Sequence, residues 1–215
     1  MRYFTYTEAG NGHTNEDCVV VQTHPADAQM LLCALADGQG GRSGGREAAQ
    51  RAVQSSLAYL TNNSPNDLVS VREWLIAAEK ADAAISRDAE AGFTTLVLCG
   101  VTATGVSGVS GGDSAAVFWD GKMSVLTEEQ RKNPPLGSGS AALTPFAIEA
   151  ATPWKLLLMS DGVWKYAGWK AIEDALKNLT GEALWLYLLG TVKQGNGGIL
   201  PDDFTIALVL ANADF

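Results

Sequence analysis

Positive charge is what this sequence has least of. Among its 215 residues, 15 are Lys or Arg and 24 are Asp or Glu, so the formal net charge at pH 7 is −9. Non-specific binding to nucleic acid or to an anionic membrane requires a basic surface. We therefore expect neither nucleic acid nor a membrane as a partner. Because there are too few cations to pair with every carboxylate, some carboxylates are expected to face water and others to bind metal.

Long hydrophobic runs are also lacking. The longest, residues 30–36 and 183–189, reach about a third of the roughly 20 residues that a membrane-spanning helix needs. Residues 1–8 contain no apolar stretch of signal-peptide length. The sequence therefore predicts a cytoplasmic protein without a transmembrane segment.

Cysteine and histidine are scarce. Cys18, Cys33 and Cys99 are an odd number of widely spaced residues beside aliphatic neighbours, which predicts reduced thiols in the core and no zinc site. The two histidines are His13 and His24. His24 precedes a proline in a polar stretch, and we predict it to be a loop residue. Hydrophobic residues make up 47% of the chain, enough for a sizeable core, and this excludes intrinsic disorder.

The hydrophobic pattern predicts an α+β fold. Strands are expected at 3–7, 18–23, 30–36, 94–102, 114–119, 122–126, 154–159 and 204–210, and helices after Gly44-Gly45, after Ser64-Pro65 and over 169–193. Asp120-Gly121 predicts a two-residue hairpin, and residues 127–152 are expected to be irregular. Groups of strands separated by helices favour antiparallel sheets, arranged as a β-sandwich flanked by helices. No repeat or linker divides the chain, so residues 1–215 are expected to form a single domain.

Acidic residues stand where the apolar strands begin or end. They are Glu16, Asp17, Asp37, Asp113, Asp161, Asp202 and Asp203. A carboxylate at the end of a buried strand is held rigidly, as an oxygen ligand for a hard divalent cation should be. Each is a weak signal alone, since Asp-Gly is a common turn and Asp120-Gly121 is expected to be nothing more. Asp37 differs because glycines follow it, which permits close approach of a ligand and leaves the Gly38 carbonyl as a further donor.

The order of these segments carries a family resemblance. The motifs are NED (15–17), ADGQGG (36–41), TTLV (94–97), GDSAA (112–116), SDGVW (160–164) and DDFT (202–205). Together, over residues 15–210, they resemble the metal-dependent type 2C Ser/Thr protein phosphatases. The resemblance implies a central antiparallel β-sandwich with helices on both faces, in four layers. It also implies a site for two Mn²⁺ or Mg²⁺ ions at one end of the sandwich.

The resemblance assigns roles to individual residues. Asp37 is expected to bridge both metal ions and the Gly38 carbonyl to bind one of them, while Asp161 and Asp202 bind the other. Glu16 and Asp17 are expected to orient waters at the metals, and Asp113 to bind a third, weaker ion. Two cations about 3.5–4 Å apart acidify a water for attack on phosphorus, so no side chain need act as the nucleophile. The expected activity is that of a hydrolase that acts on phosphorylated Ser/Thr proteins.

The sequence departs from the family at four places. Gly12 stands where many members have an Arg that grips phosphate, and Ala115 stands where Arg is frequent. Gln39 replaces a His or Met, so protonation of the leaving group falls to a water at the metals or to His13. His13 is thus a candidate catalytic residue, with an exposed loop histidine as the alternative. The segment at about 127–152 is short for the flap that selects substrates.

These departures leave alternatives open. The chain is either a phosphatase, a catalytically weak metal-binding regulator that captures phosphoproteins, or a phosphatase of small metabolites. Arg42 and Arg46 are interpreted as solvated residues at the start of a helix, with contacts to phosphate as the alternative. Trp154, Trp164 and Trp185 are assigned to core packing.

Overall fold

The computed structural model describes residues 1–12, 14–39, 44–151 and 153–211. The strands are β1 (Arg2–Glu8), β2 (Asp17–His24), β3 (Asp27–Asp37), β4 (Leu96–Thr102), β5 (Gly105–Gly111), β6 (Ala115–Trp119), β7 (Met123–Val125), β8 (Thr144–Glu149), β9 (Trp154–Met159) and β10 (Phe204–Ala211). The helices are α1 (Gly45–Thr61), α2 (Val71–Ser86), α3 (Asp161–Ala167), α4 (Trp169–Asn178) and α5 (Gly181–Gly195), with a 3₁₀ turn at Asp67–Val69. The predicted α+β class is confirmed.

The strands form two five-stranded antiparallel sheets. One sheet has the order β1-β10-β9-β6-β7 and the other the order β2-β3-β4-β5-β8. Helices α1 and α2 cover the second sheet, and α3, α4 and α5 cover the first. The result is the predicted sandwich with a helical layer on each side.

The continuous apolar runs of the central strands follow from burial on both faces. In β9, Leu156 and Leu158 point into the core between the sheets, while Leu157 and Met159 point into the core beneath α3, α4 and α5. Successive side chains of a strand alternate between its two faces, so a strand with helices on one side and a second sheet on the other has no polar face. β3 is built in the same way.

Several elements differ from the sequence-based expectation. β5 was not predicted, because its sequence GVSGVSG is rich in Gly and Ser, which have low β-propensity. β8 lies inside the segment predicted to be irregular, as an edge strand that tolerates Pro145. Helix α3 begins at Asp161 itself, eight residues before the predicted helical segment. Asp120-Gly121 belongs to a three-residue loop, since Trp119 pairs with Met123.

His24 also contradicts its prediction as a loop residue. It ends β2 with 1% of its surface exposed. Its ring nitrogens contact the Leu60 carbonyl at 3.3 Å and accept a hydrogen bond from the Ala26 amide at 3.1 Å. The imidazole therefore links β2 to the end of α1.

The other core predictions hold for Cys33, Cys99 and Trp154 but only in part for Cys18, Trp164 and Trp185, which are half-buried. Cys18, Cys33 and Cys99 are free thiols, and the last two are fully buried. Trp154 lies between the sheets, whereas Trp164 and Trp185 pack partly buried against the helical side of the first sheet. Among the described residues, no helix is both long enough and apolar enough to cross a membrane.

Candidate active site

A cleft of about 740 Å³ opens at one end of the sandwich. At this end β3 and β9 finish and β2, β6 and β10 begin, so acidic residues distant in sequence meet. Six of them line the cleft: Glu16, Asp37, Asp113, Asp161, Asp202 and Asp203. With Asp17 directly beneath, every acidic residue predicted for the site lies in one place. His13 lies outside the described residues, as do Gly40, Gly41, Arg42 and Ser43.

Asp37 is the last residue of β3, and its backbone is fixed by two threonines. Its amide donates to Thr95 Oγ1 at 2.9 Å, and its carbonyl accepts from the Thr95 amide at 2.9 Å and from Thr94 Oγ1 at 2.8 Å. Burial raises the pKa of the Asp37 carboxyl well above its ordinary range, and the neighbouring charges of Asp17 and Asp161 raise it further. A cation bound next to this carboxylate would stabilise its ionised form, which burial and the neighbouring negative charges destabilise.

Asp17 begins β2 directly opposite Asp37 in the ladder. Both of its carboxylate oxygens are buried, and no described residue gives either of them a hydrogen bond of normal geometry. The two nearest hydroxyls are engaged elsewhere: Ser160 donates to the Asp203 carbonyl, and Thr205 pairs with Thr7. Burial raises the pKa of Asp17 to about 7, although these two hydroxyls are close enough to lower it somewhat.

Asp202 and Asp203 are adjacent but have different environments. The Asp203 carboxylate accepts the amides of Gly10 and Glu16, both at 2.7 Å, and only 8% of the residue is exposed. Asp203 therefore ties the 8–16 loop to the start of β10, a role that the sequence reading missed. Asp202 accepts the Asp203 amide at 3.0 Å through Oδ1 and lines the cleft. The sequence signal for this role was the presence of two adjacent acidic residues before a buried strand, of which Asp203 accepts backbone amides.

Two glycines let the acidic segments approach one another. A Cβ at Gly38 would overlap the Gly45 carbonyl and lie 2.8 Å from the Glu16 carbonyl, which accepts the Gly38 amide at 3.2 Å. A Cβ at Gly162 would overlap the Asp203 carbonyl and lie 3.2 Å from the Asp202 Cβ. The Asp-Gly pairs at 37–38 and 161–162 are thus required by close packing, unlike the open turn at Gly121.

Two residues of helix α3 contact Asp113 in the loop before β6. Trp164 donates its indole N–H to the Asp113 carbonyl at 2.8 Å. Lys165 forms an ion pair with Asp161 and lies 3.5 Å from Asp113 Oδ2. Lys132, from the segment after β7, forms an ion pair with the same Asp113 oxygen.

These lysines divide the carboxylates electrostatically. Burial raises the pKa of Asp113, but the ion pairs with Lys132 and Lys165 outweigh it and the pKa is lowered. For Asp161 burial dominates, and its pKa is raised despite Lys165. The four-residue step from Asp161 to Lys165 on a helix was a usable sequence signal, whereas nothing in the sequence indicated Lys132.

The segment that borders the cleft is anchored from behind by Asp82 of α2. This carboxylate, 5% exposed, accepts the amides of Gly137, Gly139 and Ala141 at 2.6, 3.1 and 3.0 Å. Lys132, Asn133 and Pro135, just before this loop, line the cleft. Asp82 was not recognised as important from the sequence, because its only signal is a charge on the apolar side of an amphipathic helix.

Of the remaining residues singled out from the sequence, Gln39 lines the cleft. Gly12 is exposed, and so is Gln39, which lines the cleft and donates its amide to the Phe93 carbonyl at 2.8 Å. Arg46 lies in the first turn of α1, exposed to solvent, with Nε donating to the Asn15 carbonyl at 2.9 Å. This agrees with its interpretation as a solvated residue at the helix start.

The cleft suits hard divalent cations. The described residues contain no cluster of three His, Cys, Asp or Glu side chains already closed around one point. Even so, the donors are carboxylate oxygens, which Mg²⁺ and Mn²⁺ prefer. No described residue donates a hydrogen bond of normal geometry to the buried oxygens of Asp17, and burial together with like charges raises the pKa of Asp37. Both features indicate uncompensated negative charge that bound cations would neutralise.

Comparisons with known proteins agree with this geometry. The family model described as "Protein phosphatase 2C" matches residues 6–183. A bacterial serine phosphatase superposes with a TM-score of 0.84 at 18% identity, over 100% of this chain and 99% of that one. Mycobacterium tuberculosis PstP/Ppp gives 0.78 at 24%, over 96% and 97%. PstP in complex with two manganese ions gives 0.77 at 24%, over 98% of each chain. No curated protein matches at a significant level.

Proposed function

Because the chain belongs to the protein phosphatase 2C family, we propose that it is a metal-dependent phosphatase that removes phosphate from Ser and Thr residues of proteins. The observation that carries the proposal is the pair Asp17 and Asp37, directly opposed in the β2–β3 ladder, with the Asp17 carboxylate buried and Asp37 lining the cleft. Such a pair is costly unless cations compensate it. The proposal includes two further points: residues 1–215 form one catalytic domain, and the flap at about 127–152 is shortened.

The proposed cations are two Mn²⁺ or Mg²⁺ ions. Asp37 would contact both ions and the Gly38 carbonyl one of them, with Asp161 and Asp202 on the other. When bound, the two ions would lower the pKa of water and neutralise phosphate oxygens during an in-line attack on phosphorus. Support for Mn²⁺ comes from PstP, whose catalytic domain was crystallised with two manganese ions.

The residues of this chain have supporting roles in the proposed reaction. Asp17, with a pKa of about 7 in the metal-free protein, would lose its proton when cations bind nearby, because a neighbouring positive charge favours the ionised carboxylate. It would then accept hydrogen bonds from water in the cleft, together with Glu16. Asp203 holds Glu16 in place through its backbone amide. Thr94 and Thr95 fix the Asp37 backbone, so its carboxylate is preorganised.

The test is hydrolysis of p-nitrophenyl phosphate and a phosphothreonine peptide with Mn²⁺. We expect turnover that EDTA abolishes and that Asp37→Asn lowers by at least about a hundredfold. Asp120→Asn, in the exposed β6–β7 loop, is the control and should retain full activity. Full activity in Asp37→Asn would disprove the assignment.

The same assay separates the two alternatives. A catalytically weak regulator is favoured by Gly12, which leaves its exposed position without a cation for phosphate. A regulator would bind Mn²⁺ in calorimetry and leave every phosphopeptide intact. A metabolite phosphatase would hydrolyse small phosphate esters and ignore the peptide, because the short flap would offer a polypeptide little surface.

A further inference from the structure

Asp113 is surrounded by protein cations. The Lys132 ammonium forms an ion pair with its Oδ2, and the Lys165 ammonium lies 3.5 Å from the same oxygen. Lys165 also forms an ion pair with Asp161 Oδ2, so one ammonium lies between two carboxylates. The Asp113 side chain is 19% exposed and that of Asp161 is 13% exposed. Solvent therefore screens these contacts only in part.

The backbone reinforces this arrangement. Trp164 precedes Lys165 on α3, and its indole N–H donates to the Asp113 carbonyl at 2.8 Å. The Trp164 ring stacks on the Trp169 ring at a centroid distance of 5.4 Å. The Lys165 ammonium lies 5.8 Å from the centroid of the Trp164 ring. Helix α3 thus holds both the backbone and the carboxylate of Asp113. Lys165 contacts two carboxylates and a ring, while 38% of its side chain stays exposed to solvent.

A third metal ion does not fit these contacts. A cation bound to the Asp113 carboxylate would be close to the ammonium groups of Lys132 and Lys165, which contact the same carboxylate. The positive charges would repel each other. Asp113 already has the positive charge that a carboxylate at this position requires. The family resemblance predicts a third ion at Asp113, and the lysines of this chain argue against it.

We propose that Lys165, assisted by Lys132, takes the place of a third metal ion in this protein by linking Asp113 to Asp161. The inference rests on the proposed function for the other two ions and concerns only the Asp113 side of the cleft. It implies that the protein functions with two divalent ions. It also implies that Lys165 competes with metal for Asp161, so that its removal strengthens metal binding.

The test counts bound Mn²⁺ by calorimetry and by the electron paramagnetic resonance signal of free Mn²⁺. The wild type should bind two equivalents, and Asp113→Asn should also bind two. Lys165→Met should tighten binding by about two- to fivefold, the range of a partly exposed ion pair, and should gain a weaker third equivalent. Lys170→Met is the matched control, since Lys170 pairs with Asp174 at the same four-residue spacing on the exposed face of α4.

A second measurement needs no metal. Unfolding of the wild type, Lys165→Met, Asp113→Asn and the double variant in EDTA forms a double-mutant cycle. We expect the two substitutions to be non-additive, with a coupling of about two- to fivefold in the unfolding equilibrium constant. Additive effects would overturn the inference.

The metal counts separate failure of the inference from failure of the proposed function. Three equivalents in the wild type and two in Asp113→Asn would overturn the inference and leave the proposed phosphatase intact. Identical binding by Lys165→Met and the wild type would also overturn it. No binding by the wild type, with a non-additive cycle, would support the lysine link and refute the metal-dependent function.

Discussion

Asp17 and Asp37 face each other directly across the β2–β3 ladder. Directly opposed residues of antiparallel strands project to the same face of the sheet, so the backbone pairing itself brings these two carboxylates together. Like charges in this position destabilise a sheet. They are placed where β2 begins and β3 ends, which exposes Asp37 to the cleft while Asp17 lies buried below it.

The first prediction concerns the stability of the metal-free protein against pH. The pKa of Asp17 is about 7 in the fold and near 3.8 ordinarily. Its contribution to stability is therefore fully present below about pH 3.8 and is lost as the pH rises through 7. We expect Asp17→Asn to be more stable than the wild type by about 2–4 kcal/mol at pH 8 in EDTA, with the difference vanishing near pH 4.

The measurement is urea unfolding of both proteins in EDTA from pH 4 to 8. Taking the difference between the two proteins removes the titration of carboxylates that Asp17 does not influence, whereas Asp37, whose pKa the Asp17 charge raises, still contributes to it. Asp120→Asn serves as the control. Saturating Mn²⁺ should reverse the order at pH 8, because the wild type would gain ligand-binding free energy. A pH-independent difference would show that Asp17 ionises normally.

The second prediction separates the neighbours Asp202 and Asp203. Asp203→Asn should cost about 2–4 kcal/mol of stability, because an amide replaces one of two oxygens that accept buried backbone N–H groups. Asp202→Asn keeps Oδ1 for the Asp203 amide, so it should unfold like the wild type in EDTA and lose Mn²⁺ affinity. Thermal unfolding and calorimetry decide the matter, and equal destabilisation by both variants would contradict this division of roles.

The fold was predictable where the hydrophobic pattern follows the layers. β3 and β9 were predicted as strands because both of their faces are buried, which gives a continuous apolar run. α1 and α2 were predicted as helices because one face is buried, which gives apolar residues at three- and four-residue steps. The sequence of β5 hides its strand, because Gly and Ser let neighbouring strands pack closely and contribute no hydrophobic signal. For example, a Cβ at Gly108 would lie 2.6 Å from the Cys99 Cβ.

The candidate site was predictable as a set of acids and less so as a network. The motif order identified the carboxylates, since each flanks a strand. The residues that position them were missed, because their partners are distant in sequence: Asp203 holds Gly10, and Lys132 reaches Asp113. A single sequence does not reveal such pairs. Lys165 had a local signal in its four-residue spacing from Asp161.

The third prediction concerns Asp82 and the segment beside the cleft. Asp82→Ala removes the acceptor of three loop amides and should cost about 3–5 kcal/mol, since buried donors lose their partner. Residues 132–141 should then become sensitive to limited proteolysis, and KM for the phosphopeptide should rise more than kcat falls. Asp27→Ala is the control, because the Asp27 carboxylate accepts the exposed Gln29 amide. Unchanged proteolysis in Asp82→Ala would refute the anchoring role.

The last prediction tests the close approach of α3 to the 202–203 segment. A Cβ at Gly162 would overlap the Asp203 carbonyl, so Gly162→Ala must push α3 away from β10 or displace Asp202. Overpacking of this kind costs about 1–3 kcal/mol, and the shift separates Asp161 from Asp202, so Mn²⁺ affinity and turnover should fall together. Gly190→Ala is the control, because Gly190 lies on α5 with nothing within 4 Å of a Cβ. It should gain up to about 1 kcal/mol from helix propensity.

Calorimetry with Mn²⁺ and urea unfolding of both variants make the comparison. Wild-type Mn²⁺ affinity in Gly162→Ala would mean that the spacing between α3 and β10 does not set the geometry of the site.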